Sequence, residues 1–573
     1  MSDGPAIAPQ RPELVTDGVP GEKPRWLELA TSSDHKDVGR IMIGASLAFL
    51  ALALVEFLLM RLQLAVPLND LIEPVTFNRL LSVWGATTVV LFVLPLALGL
   101  YTYVVPLQIG ARALAFPRLA NLSLWLYLIG GAALYVTFVY TPPETGVNPL
   151  PPLSDDLAFV DSNGPDVWIT AVGLTVLGMV LQAVNLVVTI NRGRAPGLAW
   201  RRLPPFAFSG AVSGWLLIVV GPLMLAALTM LEIDRHYDGV FFDAGEGGAP
   251  IYFQHLSWIF FTGCYLLMVL PAIGVLSEIL PTFSGKPLLS RTAVAVSMAA
   301  IAALGTLAWM QNMFTAAIPS GWLYMAMAAA VLLIVPLGVV FLNWLATLFS
   351  GAIHFRAPML FALGAISTLS CGLAGELLHN VPPVNWLLAD TADATAETGY
   401  VLVGGPVLAG LAGLHYWFPK MTGRIMAEAP AKLSLLLILV GAHLTFAPMF
   451  FAGLDGQPVD VYRYYDVGDL DLFNLLSTIG AFVLAAGIVV SLVNVLRSAS
   501  NGVSAGHDPW GGQTLEWLAT SPPPPHNFDV VPDVRSGEPM RDIRDEIAAR
   551  PGSESLPADT SGAERAASGE PVA

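Results

Sequence analysis

The sequence predicts an all-α membrane protein, built as a bundle of twelve transmembrane helices. The chain has 573 residues, of which 55% are hydrophobic and only 12% are charged, whereas about 25% of the residues of a soluble protein are charged. So few charges cannot cover the water-facing surface of a chain this long, and most of it is therefore expected to face lipid. Twelve separate apolar stretches also reach the length of about 20 residues that a helix needs to cross a bilayer.

The predicted spans follow one another with polar loops between them. They lie near residues 41–60, 80–106, 119–140, 167–190, 207–231, 254–280, 292–312, 320–350, 357–380, 398–418, 432–453 and 470–497.

Three further segments flank this domain. Residues 1–40 are polar and Pro-rich, without the charged start and apolar core of a signal peptide. Residues 498–536 combine aromatic residues with a proline run, which predicts an extended strap on the cytoplasmic face. Residues 537–573 form an acidic tail without a periodic pattern of apolar residues, which predicts disorder.

The distribution of Lys and Arg predicts that both termini are cytoplasmic. An even number of spans places both termini on one side of the membrane, and twelve basic residues lie in the loops of that side. The opposite loops carry only four, Arg61, Arg79, Arg235 and Arg463. Loops rich in Lys and Arg stay in the cytoplasm. The opposite loops hold much of the acid, including Asp155, Asp156 and Asp161.

Composition also excludes several functional classes. The two cysteines, Cys264 and Cys371, are too few for a disulfide scaffold, a Cys-rich zinc site or an iron–sulfur cluster held by thiolates. The net charge of −16 argues against a nucleic-acid partner, because nucleic-acid-binding surfaces are basic.

Several separated motifs then resemble one family over nearly the whole chain. They are DHKDVGR (34–40), VVPLQIGARALAFPRLANLSLW (104–125), FFDAGEGGAPIYFQHLSW (241–258), NWLATLFSG (343–351), GLHYWFPKMTGR (413–424) and DPWGGQTLEW (508–517). In this order and on twelve spans, they resemble subunit I of the haem–copper oxidases of the cytochrome c oxidase type. The resemblance implies a site for two haems and one copper ion, held by six histidines.

None of those six histidines is present. Aligned through the flanking motifs, the two ligand positions of the six-coordinate haem are Trp84 and Gly399, and that of the oxygen-binding haem is Glu397. The three copper-ligand positions are Thr262, Gln311 and Asn312. We therefore predict that the protein binds no haem, copper or other metal and has no catalytic residue, although the family binds two haems and copper.

The residues that the family uses to move protons are replaced as well. The resemblance matches its proton-entrance Asp to Ala113, its relay Glu to Cys264, its cross-linked Tyr to Leu266 and its channel Lys to Val340. A charged group inside a membrane is costly unless it has a function or a partner. Losing these groups together fits a centre without haem charge and without proton delivery.

Four polar residues remain in or near the emptied centre. Gln311, Asn312, Glu376 and Glu397 are candidates for a buried hydrogen-bonded network, because polar groups buried in a bundle need partners. The alternative is a proton or ion relay through the same space. Trp84 is interpreted as an aromatic side chain that fills volume left by a haem.

Three functions stay open at the level of sequence. The first is a structural or regulatory, non-catalytic subunit of a respiratory oxidase complex in the plasma membrane. The second is a proton- or ion-conducting protein on the emptied scaffold, and the third is a terminal oxidase, transferring electrons from cytochrome c to O2, with unforeseen haem ligands. The expected partners are the lipid bilayer and subunits resembling oxidase subunits II and III. A catalytic subunit I or another respiratory complex is a further candidate partner.

Overall fold

A computed structural model describes residues 31–154, 162–316 and 319–549 of the protein. Within these ranges, twelve helical segments are long and apolar enough to cross a membrane, which confirms the predicted number. The segments are α1 (His35–Gln63), α2 (Pro74–Gln108), α3 (Pro117–Val139), α4 (Gly164–Arg192), α5 (Pro205–His236), α6 (Ile251–Ser284), α7 (Arg291–Met313), α8 (Ser320–Leu348), α9 (Ala357–His379), α10 (Ala392–Thr422), α11 (Glu428–Leu454) and α12 (Leu470–Asn501).

At the start of α1 the helix extends beyond the predicted apolar stretch, and a polar residue caps it. The side chain of Asp34 accepts a hydrogen bond from the backbone N–H of Lys36 at 2.9 Å, so α1 begins at His35 rather than near residue 41. Such a cap satisfies one of the N–H groups that the first helical turn leaves unpaired. At the other end of a span, Gly423 follows α10 with a φ of 74°, which a residue without a Cβ adopts readily.

Two helices form the centre of the bundle. In the most apolar 18-residue stretch of α2 and of α10, 94% of the helix is buried inside the protein, whereas only 28% of the corresponding stretch of α8 is buried. The central helices each contain a π-helical turn, Thr87–Val93 in α2 and Val403–Ala409 in α10. Such turns are uncommon and frequently lie at functional sites. The six positions matched to metal ligands therefore belong to the centre of the bundle or to the helices that border it.

The segment after α12 packs across the end of the bundle at which α1 begins. Its start pairs with the loop after α10 through two short antiparallel strands, β1 (Arg424–Ile425) and β2 (Val503–Ser504). Further along, the Asn527 side chain donates to the carbonyl oxygen of Ala111 at 2.8 Å and accepts from the Lys36 ammonium group at 3.2 Å. The start of α1 and the strap thus lie at the same end of the bundle.

The predicted disorder of residues 537–573 is wrong for its first part. Residues Pro539–Ala548 form a helix, α13, whose Met540 is buried. The Arg544 guanidinium in α13 donates to the side chain of Asp508 and to the carbonyl oxygen of Gly512. These contacts reach more than thirty residues back along the chain, so the local sequence pattern does not predict them.

Other predictions fall on residues that the structure does not describe. They concern residues 1–30 and 550–573, and the loop acids Asp155, Asp156 and Asp161.

Candidate functional site

Trp84 occupies the first of the six positions matched to metal ligands. Its indole is half-buried in α2 and stacks on the ring of Phe57, with ring centroids 5.9 Å apart and planes 21° from parallel. It packs against a small cluster of apolar side chains that includes Met60 and Phe77. The side chain at this position therefore fills space with aromatic contacts and offers no ligand atom, since an indole nitrogen only donates.

Gly399 occupies the second position matched to the six-coordinate haem. A Cβ atom built on Gly399 would overlap the ring of Phe446 from α11. That ring also packs against Tyr400, with centroids 5.4 Å apart. The volume that a histidine side chain would need here is thus already filled by an aromatic ring.

Two of the three positions matched to copper ligands contact each other. The amide of Asn312 donates to the Thr262 hydroxyl at 3.2 Å and to the carbonyl oxygen of Trp309 at 3.1 Å. Asn312 is exposed in this chain, so its inclusion in the predicted buried network is wrong. The reason is local, because α7 tightens to a 3₁₀ turn over Ala308–Met313, which changes the direction of its last side chains.

The other three predicted network residues lie close together. The Gln311 amide donates to the Glu376 side chain, and a Cβ built on Gly375, next to Glu376, would lie 3.1 Å from Glu397 Cγ. The Tyr265 hydroxyl donates to Glu397 Oε1 at 3.4 Å. The positions matched to one copper ligand and to the ligand of the oxygen-binding haem therefore belong to one polar cluster.

Sequence reasoning left four members of this cluster out of the network, namely Tyr265, His379, Asn385 and Asp393. His379 Nε2 lies 2.5 Å from Asp393 Oδ2 and 3.7 Å from Glu397 Oε2, and the Asn385 amide donates to the carbonyl oxygen of His379 at 3.0 Å. The spacing of Asp393 and Glu397, four residues apart, places both on one face of α10. That spacing was the available signal, but the partner His379 lies on the preceding helix.

The positions matched to proton-path residues offer no replacement path. Cys264 is buried, and Leu266 packs against Gly305, where the nearest distance from a built Cβ is 2.6 Å. Val340 is buried as well, whereas Ala113 is exposed at the end of the bundle that carries the strap. None of these four side chains has a carboxyl, ammonium or hydroxyl group.

The side chains at the six positions matched to metal ligands include no imidazole. Haem iron in this family and copper both take neutral imidazole nitrogen, and the six matched positions hold Trp, Gly, Glu, Thr, Gln and Asn. At Gly399 the approach is also filled by Phe446.

A different group of residues resembles a metal site where α4 begins and α5 ends. Among the described residues, Asp166, Glu232 and His236 place one possible ligand atom each within 4.8 Å of the others. The Asp166 carboxylate already accepts from the Arg235 guanidinium at 2.6 Å and lies 3.0 Å from His236 Nε2. We interpret the group as an ion-pair network that joins the two helices.

Two buried acids at the strap end of the bundle have raised pKa values. Glu516 is fully buried and accepts from Gln108 and from the Trp417 indole, each at 3.1 Å. Burial raises the pKa of Glu516, since a carboxylate loses its hydration there. Burial also raises the pKa of Asp508, against the opposing effect of its hydrogen bond from Gly512 and the charge of Arg544.

Comparisons with known proteins agree with the fold. Residues 37–483 match the family model described as cytochrome c and quinol oxidase polypeptide I. The chain is 36% identical over 516 residues to cytochrome c oxidase subunit 1 of Thermostichus vulcanus, covering 90% of this chain and 92% of the relative. It is 37% identical over 549 residues to the probable cytochrome c oxidase subunit 1-beta of Nocardia farcinica, covering 94% and 91%.

A solved structure is similar as well. The structure of a haem–copper terminal oxidase dimer superposes with a TM-score of 0.67 at 14% identity, over 81% of this chain and 84% of that one. At this identity the similarity supports the shared bundle fold alone.

Proposed function

The chain belongs to the cytochrome c and quinol oxidase polypeptide I family, and we propose that it is a member without redox activity. It serves as a structural or regulatory subunit of a respiratory oxidase complex. One observation carries the proposal: the six positions matched to metal ligands hold no histidine, and at Gly399 a side chain would overlap Phe446. A haem–copper centre needs those imidazoles, so the chain has neither electron carrier nor oxygen site.

The parts of the sequence that still match the family support a role in assembly. They are mainly loops, helix ends and the strap. The strap is anchored by Lys420, whose ammonium group donates to the carbonyl oxygens of His507 at 2.8 Å and Ala519 at 2.6 Å. One end of the bundle thus keeps the motifs of the family, whereas the matched metal-ligand positions do not. This combination fits a protein that contacts subunits resembling oxidase subunits II and III. A catalytic subunit I or another respiratory complex is a further candidate partner.

We further propose that the protein lies in the plasma membrane with the strap and the start of α1 on the cytoplasmic side. The basic loops support this orientation, because twelve Lys and Arg residues share the side of the strap. Reporter fusions test it. A cytoplasmic reporter after Asn501 should be active, and a reporter in the loop after Leu454 should be inactive.

The proposed loss of redox activity is tested on the purified protein by two measurements. We expect the reduced-minus-oxidised visible spectrum to contain no haem band and elemental analysis to find iron and copper far below one atom per chain. A relative from the same membrane that keeps all six histidines, purified identically, is the positive control. Haem at a near-stoichiometric level in this protein would refute the proposal.

The proposed assembly is tested separately. An affinity tag placed after α13 should co-purify oxidase subunits from membranes solubilised in mild detergent. The matched control is the same tag on a chain that ends at Gly502, which lacks the strap. Recovery of the tagged chain alone, from both forms, would contradict a role in an oxidase complex.

A further inference from the structure

Three arginines lie exposed where the α2–α3 loop meets the end of α4, at the strap end of the bundle. They are Arg112, Arg118 and Arg192. We propose that they bind the headgroup of an anionic phospholipid whose acyl chains lie along the exposed face of α3. The inference goes beyond the proposed function and does not depend on it, because lipid binding requires neither the loss of haem nor an oxidase partner.

The backbone of the α2–α3 loop packs against the end of α4. A Cβ built on Gly193 would lie 3.2 Å from the Cβ of Ala111. Arg112 follows Ala111 along the chain, and Arg192 precedes Gly193. The side chains of Arg112 and Arg192 therefore start from neighbouring points on two segments that are distant in the sequence.

The start of α3 is held at the same place. The side-chain amide of Asn185 in α4 donates to the carbonyl oxygen of Phe116 at 3.0 Å, and its oxygen accepts from the Phe116 N–H at 3.0 Å. Arg118 follows two residues later, in the first turn of α3. The three arginines thus extend from segments that are fixed to one another.

The positive charge of these arginines is not compensated by the protein. Within the described ranges none of the three forms an ion pair, whereas Arg291 pairs with Glu538 at 3.6 Å and Lys432 with Glu428 at 3.7 Å. Asp533, which contacts the α4–α5 loop, forms no ion pair with them either. Guanidinium groups bind phosphate through paired hydrogen bonds. The charge of the surface therefore favours an anion that carries a phosphate group.

An exposed apolar face of α3 continues from Arg118 into the span. Leu122, Trp125 and Ile129 are 49%, 39% and 53% exposed. Their spacings of four, seven and eleven residues from Arg118 place all three on the same side of the helix. Tryptophan residues near the end of a span typically lie at the level of the lipid headgroups. A lipid with its phosphate at Arg118 can therefore extend an acyl chain along this face.

The combination of charge and apolar surface favours a lipid over an acidic protein segment. The apolar face lies within a segment long and apolar enough to cross the membrane, which a water-soluble acidic peptide does not reach. Basic pockets between membrane helices are known to bind anionic headgroups. Inorganic phosphate could contact the arginines, but it would gain nothing from the apolar face.

Native mass spectrometry of the purified full-length protein in detergent tests the proposal. The probes are phosphatidylglycerol and phosphatidylcholine with identical acyl chains, which differ in the net charge of the headgroup. We expect phosphatidylglycerol to bind about 100-fold more tightly, because each Arg near an anionic headgroup contributes about a fivefold factor. The triple variant Arg112→Gln, Arg118→Gln and Arg192→Gln should bind both lipids equally.

Arg497→Gln is the matched control. Arg497 is exposed near the end of α12 at the same end of the bundle and forms no ion pair among the described residues. Its substitution should leave the affinity for both lipids unchanged. If the triple variant fails to fold, as judged by its thermal midpoint, Arg118→Gln alone should weaken phosphatidylglycerol binding about fivefold.

Several results would overturn the proposal. They are equal affinity of the wild type for the two lipids, a preference that survives in the folded triple variant, and an equal loss of affinity in Arg497→Gln. Displacement of phosphatidylglycerol by an equal concentration of inorganic phosphate would identify a site for free phosphate instead. Loss of co-purifying protein subunits from the triple variant, with its lipid preference unchanged, would identify an acidic protein as the occupant.

Discussion

The ring of Phe446 occupies the volume into which a side chain on Gly399 would project. This relationship between α10 and α11 places an aromatic ring at a position matched to a haem ligand. Two helices thus pack closely where the family resemblance implies a cofactor. Empty volume in a protein core is destabilising, at about 24 cal/mol per Å3 in a soluble protein, so this filling is expected of a bundle that folds without haem.

Restoring a side chain at Gly399 is therefore expected to destabilise the protein without restoring a cofactor. We expect Gly399→Ala to lower the free energy of unfolding by about 1–3 kcal/mol, because it overpacks the core, and Gly399→His to lower it further. Neither variant should show a haem band. Thermal unfolding in detergent and a visible spectrum measure both effects.

Gly44 in α1 is the matched control for this substitution. A Cβ on Gly44 would have no neighbour within 4 Å, so Gly44→Ala should stabilise the helix by up to about 1 kcal/mol. Equal effects of the two alanine substitutions would contradict the steric argument, and haem binding by Gly399→His would contradict the filled site.

The burial of Glu516 predicts that stability falls as pH rises. An unfolded Glu has a pKa of about 4.3, and burial raises the pKa of Glu516 in the folded protein. Between these two pKa values the folded state binds more protons than the unfolded state, so the free energy of unfolding decreases with increasing pH. Glu516→Gln removes this contribution and keeps an oxygen for Gln108 and Trp417.

The measurement is the thermal midpoint of both proteins over a pH series. The midpoint of Glu516→Gln minus that of the wild type should increase from about pH 4 upward, until the pH exceeds the folded pKa. If the thermal midpoints of the wild type and Glu516→Gln changed with pH in parallel, the raised pKa of Glu516 would be refuted.

Arg235 is expected to be the most sensitive residue of the ion-pair network between α4 and α5. Its side chain is fully buried and donates to Asp166 at 2.6 Å and to the carbonyl oxygen of Ser154 at 2.6 Å. Removing one partner of a buried pair costs about 3–5 kcal/mol, so Arg235→Ala should lower the free energy of unfolding by that amount. Asp166→Asn should cost less, since Arg235 keeps its carbonyl acceptor.

Arg463 supplies the control for this prediction. It pairs with Asp70 at 3.4 Å, but the Asp70 side chain is 79% exposed. Exposed ion pairs contribute about 0–1 kcal/mol, so Arg463→Ala should leave the thermal midpoint nearly unchanged. Similar decreases in the thermal midpoint for Arg235→Ala and Arg463→Ala would show that burial of an ion pair does not increase its contribution to stability.

Lys420 is expected to hold the strap against the bundle. Hydrogen bonds from a charged donor contribute about 1.5–3 kcal/mol, and Lys420 makes two of them to strap carbonyls. Lys420→Met should therefore speed proteolysis of the strap about tenfold or more, since about 1.4 kcal/mol corresponds to a factor of ten. Limited proteolysis followed by mass spectrometry locates and times the cuts.

Lys432→Met is the corresponding control. The Lys432 side chain is 54% exposed and makes an ion pair within α11, so its removal should not change the rate of cutting in the strap. Equal rates for wild type and Lys420→Met would contradict the anchoring role.

Most of the fold was predictable from the sequence because membrane insertion depends on local properties. The number of spans follows from the length and apolar character of each stretch, whereas the start of α1 lies before the apolar stretch, where Asp34 caps it. The Gln311 amide donates to Glu376, whereas Asn312 lies exposed at a 3₁₀ turn, and the buried network as a whole stays a prediction. The direction of a side chain at a helix end depends on the turn itself, which the motif does not specify.

The sequence by itself determined the twelve helices and the family, because the length of the apolar stretches and the order of the motifs specify them. Only the tertiary structure decided which replacements meet. Phe446 lies against Gly399, and His379 lies against Glu397. The helix α13 forms where the sequence alone predicts disorder, because Arg544 bonds to Asp508. These contacts join residues that are distant in the chain or on different helices, and their formation depends on the packing of the whole bundle.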